Sequence, residues 1–292
     1  MTPVRLRFQG ATSLPVDASA LVPATLAGLG TAELERLPLR VGNREVPLAE
    51  LASVAAGDGD SLIIEAAFAS LDRLGRGMRA GRLEVYGDVG AYLGQDMEGG
   101  RIELFGSAGP YAGAGLRGGV IHVSANAGDF LGAALPGDRF GMAGGAVLVG
   151  GTAGDRVGDR MRRGLVLVTG TVGDFAASRM IGGTIIALHS CGADPGLAMR
   201  RGTLLLGRRP PDLLPTFAGN GMHELPWLGL LAREVSALVR SVSLPGPRVE
   251  RWTGCASSGG QGEILSGTFS PTLRKGIGLA LLPTMVAPDA QV

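Results

Sequence analysis

A 19-residue repeat in the middle of the chain constrains its fold more than any other feature. Seven marker residues recur at intervals of 19, with one interval of 26, and a glycine follows each marker three positions later. Another glycine stands twelve positions after each of the first six markers. A fixed period of about 20 residues indicates stacked units that bury their apolar faces against one another. The markers are Met78, Met97, Leu116, Met142, Met161, Met180 and Met199; the glycines are Gly81, Gly100, Gly119, Gly145, Gly164, Gly183 and Gly202, and then Gly90, Gly109, Gly128, Gly154, Gly173 and Gly192.

Each unit also carries a short β-prone run in which alternate residues are aliphatic, such as Leu83 and Val85, or Ile102 and Leu104. That period of two is typical of a strand with one buried face. Nineteen residues are too few for a strand, a crossover helix and a return, which need about 30. The sequence therefore predicts an all-β solenoid, a parallel β-helix of about eight 19-residue coils. The long interval places extra residues between Gly132 and Met142, at 133–141.

The segments on either side of the repeats lack its period and predict different structures. Residues 1–58 suggest a small α/β N-terminal capping module, with a strand at Val4–Phe8 and helices at Thr31–Leu37 and Leu48–Ala56. The repeats then define a domain at 59–207. Residues 208–292 predict an amphipathic helix at 224–240, followed by an extended tail.

Composition excludes several classes of function. The chain has 27 basic and 26 acidic residues, so it lacks the overall positive charge of a nucleic-acid binder. Its apolar runs fall short of the roughly 18 residues that span a bilayer, and its first residues lack a secretory signal. We therefore expect a cytoplasmic protein with neither nucleic-acid nor membrane partners. Cys191 and Cys255 form no C-x-x-C pair and indicate neither a disulfide framework nor a metal site.

No catalytic, cofactor-binding or metal-binding residue is predicted. The glycines match neither phosphate-binding fingerprint, and the three histidines do not have metal-ligand spacing. Glu84 and Glu103 would lie about 5 Å apart on adjacent units, which is the carboxylate separation of a retaining glycosidase. Arg82 and Arg101 precede them on the same face, so a surface charge ladder is the favoured interpretation and a carbohydrate-active enzyme stays an alternative.

Two sets of charged residues fall at the predicted corners. Four aspartates directly follow a glycine, and we expect them to accept hydrogen bonds from turn amides rather than to bind a cation. A group of arginines forms either a solvated rim or a surface that faces an acidic partner or tail. The aspartates are Asp88, Asp129, Asp155 and Asp174, and the arginines are Arg156, Arg160, Arg162, Arg163, Arg200 and Arg201.

One outward position changes character along the repeats. It is polar in the early units, where it holds Glu84, Glu103 and His122, and apolar in the later ones. The later residues are Leu148, Leu167 and Ile186. An apolar stripe in line is not normally left in water, so this face is predicted to be covered by the C-terminal helix, by another protein chain, or by both.

The repeat units, for example MEGGRIELFGSAGPYAG and MIGGTIIALHSCGADPG, resemble a glycine-rich region found in two families. These are the C-terminal domain of the glutamate synthase large subunit and the C component of formylmethanofuran dehydrogenase. The flanks, including LLPTFAGNG and RWTGCASSGGQGEIL, look more like the second family. The resemblance covers most of the chain and implies that the parallel β-helix is right-handed.

In methanogens that component belongs to a molybdenum or tungsten dehydrogenase, and in aerobic methylotrophic bacteria its relative belongs to a formyltransferase/hydrolase complex. The latter transfers a formyl group from formyl-tetrahydromethanopterin to a methanofuran analogue and releases formate. The strong preference for arginine over lysine favours the bacterial complex, with the dehydrogenase and a glutamate synthase-like spacer domain as alternatives.

What the resemblance implies is a non-catalytic, organising subunit in a hetero-oligomer. Its partners would be an amidohydrolase-like subunit that holds the metal and a formyltransferase subunit. The complex would use the methanofuran analogue and tetrahydromethanopterin, and this chain would bind no cofactor itself, although its arginine rim could meet the anionic glutamyl tail of the furan cofactor.

Overall fold

The computed structural model describes residues 2–10, 12–210, 212–239, 244, 247–254, 262–266, 269–270 and 275–276. The helices are α1 (Pro23–Leu26), α2 (Thr31–Glu35) and α3 (Trp227–Leu238), with a 3₁₀ turn at Leu48–Glu50. The strands are β1 (Val4–Phe8), β2 (Val16–Asp17), β3 (Pro38–Val41), β4 (Arg44–Pro47), β5 (Ala52–Ala55), β6 (Ser61–Ala67), β7 (Leu71–Asp72), β8 (Arg82–Gly87), β9 (Arg101–Phe105), β10 (Val120–Val123), β11 (Ala143–Val149), β12 (Arg163–Val168), β13 (Thr184–Ala187), β14 (Thr203–Leu206), β15 (Ala218–Glu224), β16 (Arg248–Thr253), β17 (Glu263–Ser266), β18 (Phe269–Ser270) and β19 (Lys275–Gly276).

A mixed sheet of 13 strands dominates the molecule, in the order β15-β16-β17-β14-β13-β12-β11-β10-β9-β8-β6-β1-β5. Its middle is parallel from β1 to β17, whereas β5 pairs antiparallel with β1 at one edge. At the other edge β16 and β15 add antiparallel pairs. A four-stranded sheet, β4-β3-β2-β7, and a β18-β19 pair complete the described strands.

The prediction of an all-β solenoid, a right-handed parallel β-helix of about eight coils, is wrong. The chain forms one mixed 13-stranded sheet with a few helices, and both flanks contribute strands to it. Counting repeats detects only strands that recur, so it has no signal for β5, β15 and β16, which lie outside the repeats. Unpaired backbone groups at a sheet edge accept such strands irrespective of their sequence period.

In the N-terminal segment, too, pairing with the sheet changes a structure predicted from the local sequence. The strand predicted at Val4–Phe8 is β1, and the helix predicted from Thr31 is the shorter α2. The helix predicted at Leu48–Ala56 is wrong, because only its first three residues are helical and Ala52–Ala55 is β5. Pairing with β1 overrides the local helical pattern there.

The repeats set the register of the parallel strands. Ile102 pairs with Ile121 one unit later, and Ile121 pairs with Val147 across the long interval, so the extra residues lie outside the ladder. A second ladder of single parallel bridges joins Val89, Ala108 and the equivalent residues of later units. The aliphatic residues on the inward face and all seven markers are almost fully buried in one continuous core.

Close packing between units explains both sets of glycines. Gly119 has a φ of 83°, and a Cβ there would lie 2.6 Å from the Gly100 carbonyl oxygen. At Gly154 a Cβ would lie 2.0 Å from Oδ1 of Asp129, so that carboxylate occupies the space that glycine leaves open. Neither position can accept a side chain without moving the neighbouring unit.

Helix α3 lies over the outward face of the later strands. It buries Leu228 and Val235 against Leu148, Leu167 and Ile186, in a second apolar cluster. Within the described ranges, no helix has the length and apolar character needed to cross a membrane.

Candidate anion-binding groove

The turn directly before each marker bends through left-handed backbone geometry in most units. Gly77 and Gly115 occupy this position in two early units, with φ of 63° and 68°. In later units the same position holds Arg160 and Arg179, with φ of 55° and 52°. A non-glycine residue there costs roughly 1 to 2 kcal/mol. Asp96 and Ala198 adopt the same geometry in other units, with φ of 55° and 56°, so this turn accepts several residue types and its side chain sets the character of the surface.

These turns border a groove that consists of a larger lobe of about 720 Å³ and a smaller neighbouring lobe of about 540 Å³. The two lobes share Arg139, Phe140 and Arg162 as lining residues, so the extra segment 133–141 supplies the divider between them. The larger lobe is lined by Arg139, Phe140, Arg160, Arg162, Arg179, Ile181, Ala198 and Arg200.

The extra segment is fastened to the later units by arginine contacts. The guanidinium carbons of Arg139 and Arg162 lie 5.0 and 5.1 Å from the centre of the Phe140 ring. Arg160 Nη1 donates a hydrogen bond of 2.9 Å to the Asp138 carbonyl. Each cation–π contact contributes about 0.5 to 1 kcal/mol at an exposed site. Phe140 thereby holds two positive charges at the junction of the lobes.

Most charges in the larger lobe are not neutralised. Within the described part of the chain, Arg139, Arg160, Arg162 and Arg200 form no ion pair with a carboxylate. Arg179 is the exception, since it is paired with the buried Asp159, and hydrogen bonding to that carboxylate raises the pKa of the guanidinium. A concave surface with several unpaired guanidinium groups attracts anions and suits carboxylates in particular.

Only some of the arginines predicted at the corners line the groove. Arg160, Arg162 and Arg200 line the groove, whereas Arg156 stacks on Phe175 elsewhere, at 4.8 Å. Arg163 and Arg201 are exposed and do not line it.

Two lining residues that sequence reasoning missed are Arg139, in the extra segment, and Arg179, in the turn before a marker. The signal available for Arg179 is an arginine where three earlier units have glycine, at Gly77, Gly115 and Gly141.

The apolar residues singled out on the outward face lie under α3. Leu148 and Leu167 are each 1% exposed and Ile186 is fully buried. Leu205, on β14, continues the row at 2% exposure. The cover in this structure is intramolecular.

Glu84 and Glu103 form the expected charge ladder. Arg82 Nε lies 2.8 Å from Glu84 and Arg82 Nη2 lies 3.8 Å from Glu103, which also pairs with Arg101. Partial burial raises the pKa of Glu103, but the Arg101 hydrogen bond and the positive charges around it outweigh that effect and lower the pKa overall. The acid of a retaining glycosidase needs a raised pKa, so Glu103 is unsuited to that role.

The aspartates at the corners link consecutive units. The carboxylates of Asp129, Asp155 and Asp174 accept backbone N–H bonds of 2.9, 2.8 and 2.7 Å from the next unit. Asp88 accepts an equivalent bond of 2.7 Å from Ser107. These contacts confirm the turn-acceptor interpretation.

The histidines and cysteines do not assemble a metal site in the described ranges, where no group of three or more His, Cys, Asp or Glu residues could hold a metal. Cys191 is buried, and burial raises the pKa of its thiol to about 12. Cys255 lies outside the described residues.

Sequence comparison finds two similarities. The family described as GXGXG motif matches residues 76–209. A segment of 88 residues, 30% of the chain, is 40% identical to the C component of the formyltransferase/hydrolase complex Fhc of Methylorubrum extorquens, and this alignment spans 33% of that relative's length.

A solved structure extends the similarity to nearly the whole chain. One component of the formyltransferase/hydrolase complex FhcABCD from Methylorubrum extorquens, crystallised with methylofuran, superposes with a TM-score of 0.83. The two are 39% identical, and the alignment covers 90% of this chain and 98% of that one.

Proposed function

Because the chain belongs to the family of the C component of the formyltransferase/hydrolase complex, we propose that it is a non-catalytic subunit that organises such a complex. In this proposal the complex transfers a formyl group from formyl-tetrahydromethanopterin to a methanofuran analogue and then releases formate. The observation that carries a role for this chain is the groove with four guanidinium groups that are not paired with carboxylates within the described residues.

In this proposal the groove binds the acidic part of the furan cofactor. The related complex was crystallised with methylofuran, and the resemblance implies an anionic glutamyl tail on such a cofactor. Guanidinium groups bind carboxylates through paired, charge-assisted hydrogen bonds, so the lining is suited to that tail. In this proposal Arg162 and Arg200 hold the tail, while the metal and the pterin lie on partner subunits. The prediction that this chain binds no cofactor would then hold for the metal and the pterin, but not for the tail of the furan cofactor.

The partners follow from the same proposal. An amidohydrolase-like subunit would hold the metal, a formyltransferase subunit would bind the pterin, and the complex would work in the cytoplasm. The early units support docking of neighbours, since their exposed Tyr86 and Phe105 side chains stack 4.8 Å apart on the outer surface.

The proposal is tested in the intact complex, purified through a tag on this chain. The double variant Arg162→Gln and Arg200→Gln should retain all partner subunits but lose most of its bound furan cofactor and its formate release from formyl-tetrahydromethanopterin. The matched control is Arg79→Gln, an exposed arginine paired with Glu98 in an early unit, which should leave both unchanged.

Two results would count against the proposal. Unchanged cofactor content in the double variant would remove the groove from cofactor binding. Absence of formyltransferase and metallohydrolase subunits from the purified material would remove the organising role itself.

A further inference from the structure

Arg179 differs from the other arginines of the larger lobe in how its guanidinium is held. Its Nε donates a hydrogen bond of 2.8 Å to Oδ1 of Asp159, and its Nη2 donates to Oδ2 of the same carboxylate. Asp159 is 3% exposed, and the fully buried Ser178 donates a further 2.8 Å bond to it. Two planar groups joined by paired hydrogen bonds fix each other's orientation.

This arrangement leaves part of the guanidinium available. The bonds to Asp159 use Nε and one N–H of Nη2, while the Arg179 side chain is 43% exposed and lines the groove. Nη1 and the second N–H of Nη2 can therefore donate to a ligand. The left-handed backbone at Arg179, with φ of 52°, fixes the direction from which the side chain enters.

The buried carboxylate also changes what Arg179 contributes electrostatically. Asp159 cancels its positive charge, so Arg179 adds little to the net attraction of the groove for anions. A buried ion pair is weak evidence for stability, because desolvation offsets most of the Coulombic gain. The pair supplies a donor with a fixed direction, whereas Arg139, Arg162 and Arg200 supply charge.

We infer that Arg179 is the residue that orients a bound carboxylate in the groove, and that Asp159 is a positioning residue acting through it. The inference rests on the proposed function, since the ligand is a chain of carboxylates such as the glutamyl tail. Asp159 does not touch the ligand.

Replacing Asp159 distinguishes positioning from simple charge attraction, because the two predict opposite signs. Asp159→Asn removes a negative charge beside the groove, so charge attraction alone predicts tighter binding of an anion. Loss of positioning predicts weaker binding, because the Arg179 guanidinium is no longer held in one orientation. The asparagine side chain is nearly isosteric, so the volume of the site is conserved.

The experiment measures binding of a linear tetraglutamate peptide to the full-length chain by calorimetry at several salt concentrations. Asp159→Asn should weaken binding several-fold despite the added positive charge. Arg179→Lys keeps the positive charge but loses the paired N–H donors of the guanidinium. It should weaken tetraglutamate binding about tenfold, as expected for one charge-assisted hydrogen bond. The matched control, Arg79→Lys, makes the same exchange at an exposed ion pair outside the groove and should leave affinity unchanged.

Coupling between the residues gives an independent readout. In the Arg179→Lys background, Asp159→Asn should no longer weaken binding, because its positioning action depends on the guanidinium and only the gain in positive charge remains. Ser178→Ala leaves every charge in place and should weaken binding mildly, and it serves as the positioning variant if Asp159→Asn does not fold.

The outcomes separate this inference from the function on which it rests. No binding of tetraglutamate to the unaltered chain would overturn both. Binding to the unaltered chain, with Asp159→Asn binding more tightly or Arg179→Lys matching Arg79→Lys, would overturn the inference alone.

Discussion

Arginines before and after the extra segment 133–141 have different surroundings. In the early units Arg79 Nε lies 3.0 Å from Glu98 and Arg117 Nη1 lies 3.4 Å from the same carboxylate, so this part of the surface neutralises itself. Beyond the segment, Arg162 and Arg200 stand at equivalent positions of later units with Ile181 between them. Where the early row has Glu98 between two arginines, the later row has Ile181, so Arg162 and Arg200 have no carboxylate partner among the described residues.

The outward face of the sheet shows a parallel contrast. Glu84 and Glu103 keep the early strands polar and hydrogen-bonded to arginine, while Leu148 and Leu167 at the same register lie under α3. The strands pair in parallel in both halves, with one register shift in the later pair, between Ala143 and Ala146. The comparison teaches that the repeat specifies the ladder of strands, whereas side chains at a few outward positions decide whether a face stays in water or is covered.

The largest expected effect is on stability and distinguishes the two halves of the outward face. Leu167→Ala removes buried methyl groups beneath α3 and should lower the free energy of unfolding by about 2 to 5 kcal/mol. Glu84→Ala, in the same row of an early strand, should cost less than about 1 kcal/mol, because exposed ion pairs contribute little. Chemical denaturation measures both. Equal costs would mean that α3 does not protect this face.

Removing the divider between the two lobes should have the next largest effect. Phe140→Ala removes the ring that holds Arg139 and Arg162, and it should weaken tetraglutamate binding about five- to tenfold, in line with two cation–π contacts. Phe105→Ala, which removes an exposed stacked ring from an early unit, is the control and should leave binding unaltered. Similar loss in both variants would argue against a specific role for Phe140.

Exchanging the strained turn residues should separate stability from binding. Arg160→Gly relieves a left-handed φ but gives up the Asp138 hydrogen bond, so the free energy of unfolding should change by less than about 1 kcal/mol. Tetraglutamate affinity should nevertheless fall severalfold. The early counterpart Gly115→Ala should destabilise by about 1 kcal/mol without affecting the larger lobe. A large stability loss in Arg160→Gly would make that arginine structural.

The smallest effect concerns the early charge ladder and depends on pH. The pKa of Glu103 is lowered below its ordinary value of 4.5, so its ion pairs stabilise the fold above that pH, and this contribution is lost as the pH falls through the lowered value. The unfolding free energies of the native chain and Glu103→Gln should differ by less than about 1 kcal/mol at pH 7 and converge below pH 4. A difference that grows on acidification would reverse the sign assigned to this group.

The sequence was sufficient to predict the ladder of parallel strands, but not the antiparallel strands at its edges or the groove beside it. Alternating aliphatic residues such as Ile102 and Leu104 identify strands because burial imposes a period of two. The antiparallel strands at the edges carry no repeating signal, so the solenoid prediction failed there. The groove depends on where residues 133–141 settle, and tertiary contacts of Phe140 with two arginines determine that position.

The arginines of the groove also differ in how far the sequence could identify them. Arg160, Arg162 and Arg200 stood out as a cluster of like charges in the sequence. Arg179 could not be ranked above them, because its partner Asp159 is buried by packing between units that the linear pattern does not reveal.

Native mass spectrometry of material purified through this chain tests the central claim most directly. The account predicts a hetero-oligomer that contains a metallohydrolase subunit, a formyltransferase subunit and a bound furan cofactor. A free monomer, or an assembly with a flavoprotein in place of those partners, would contradict it.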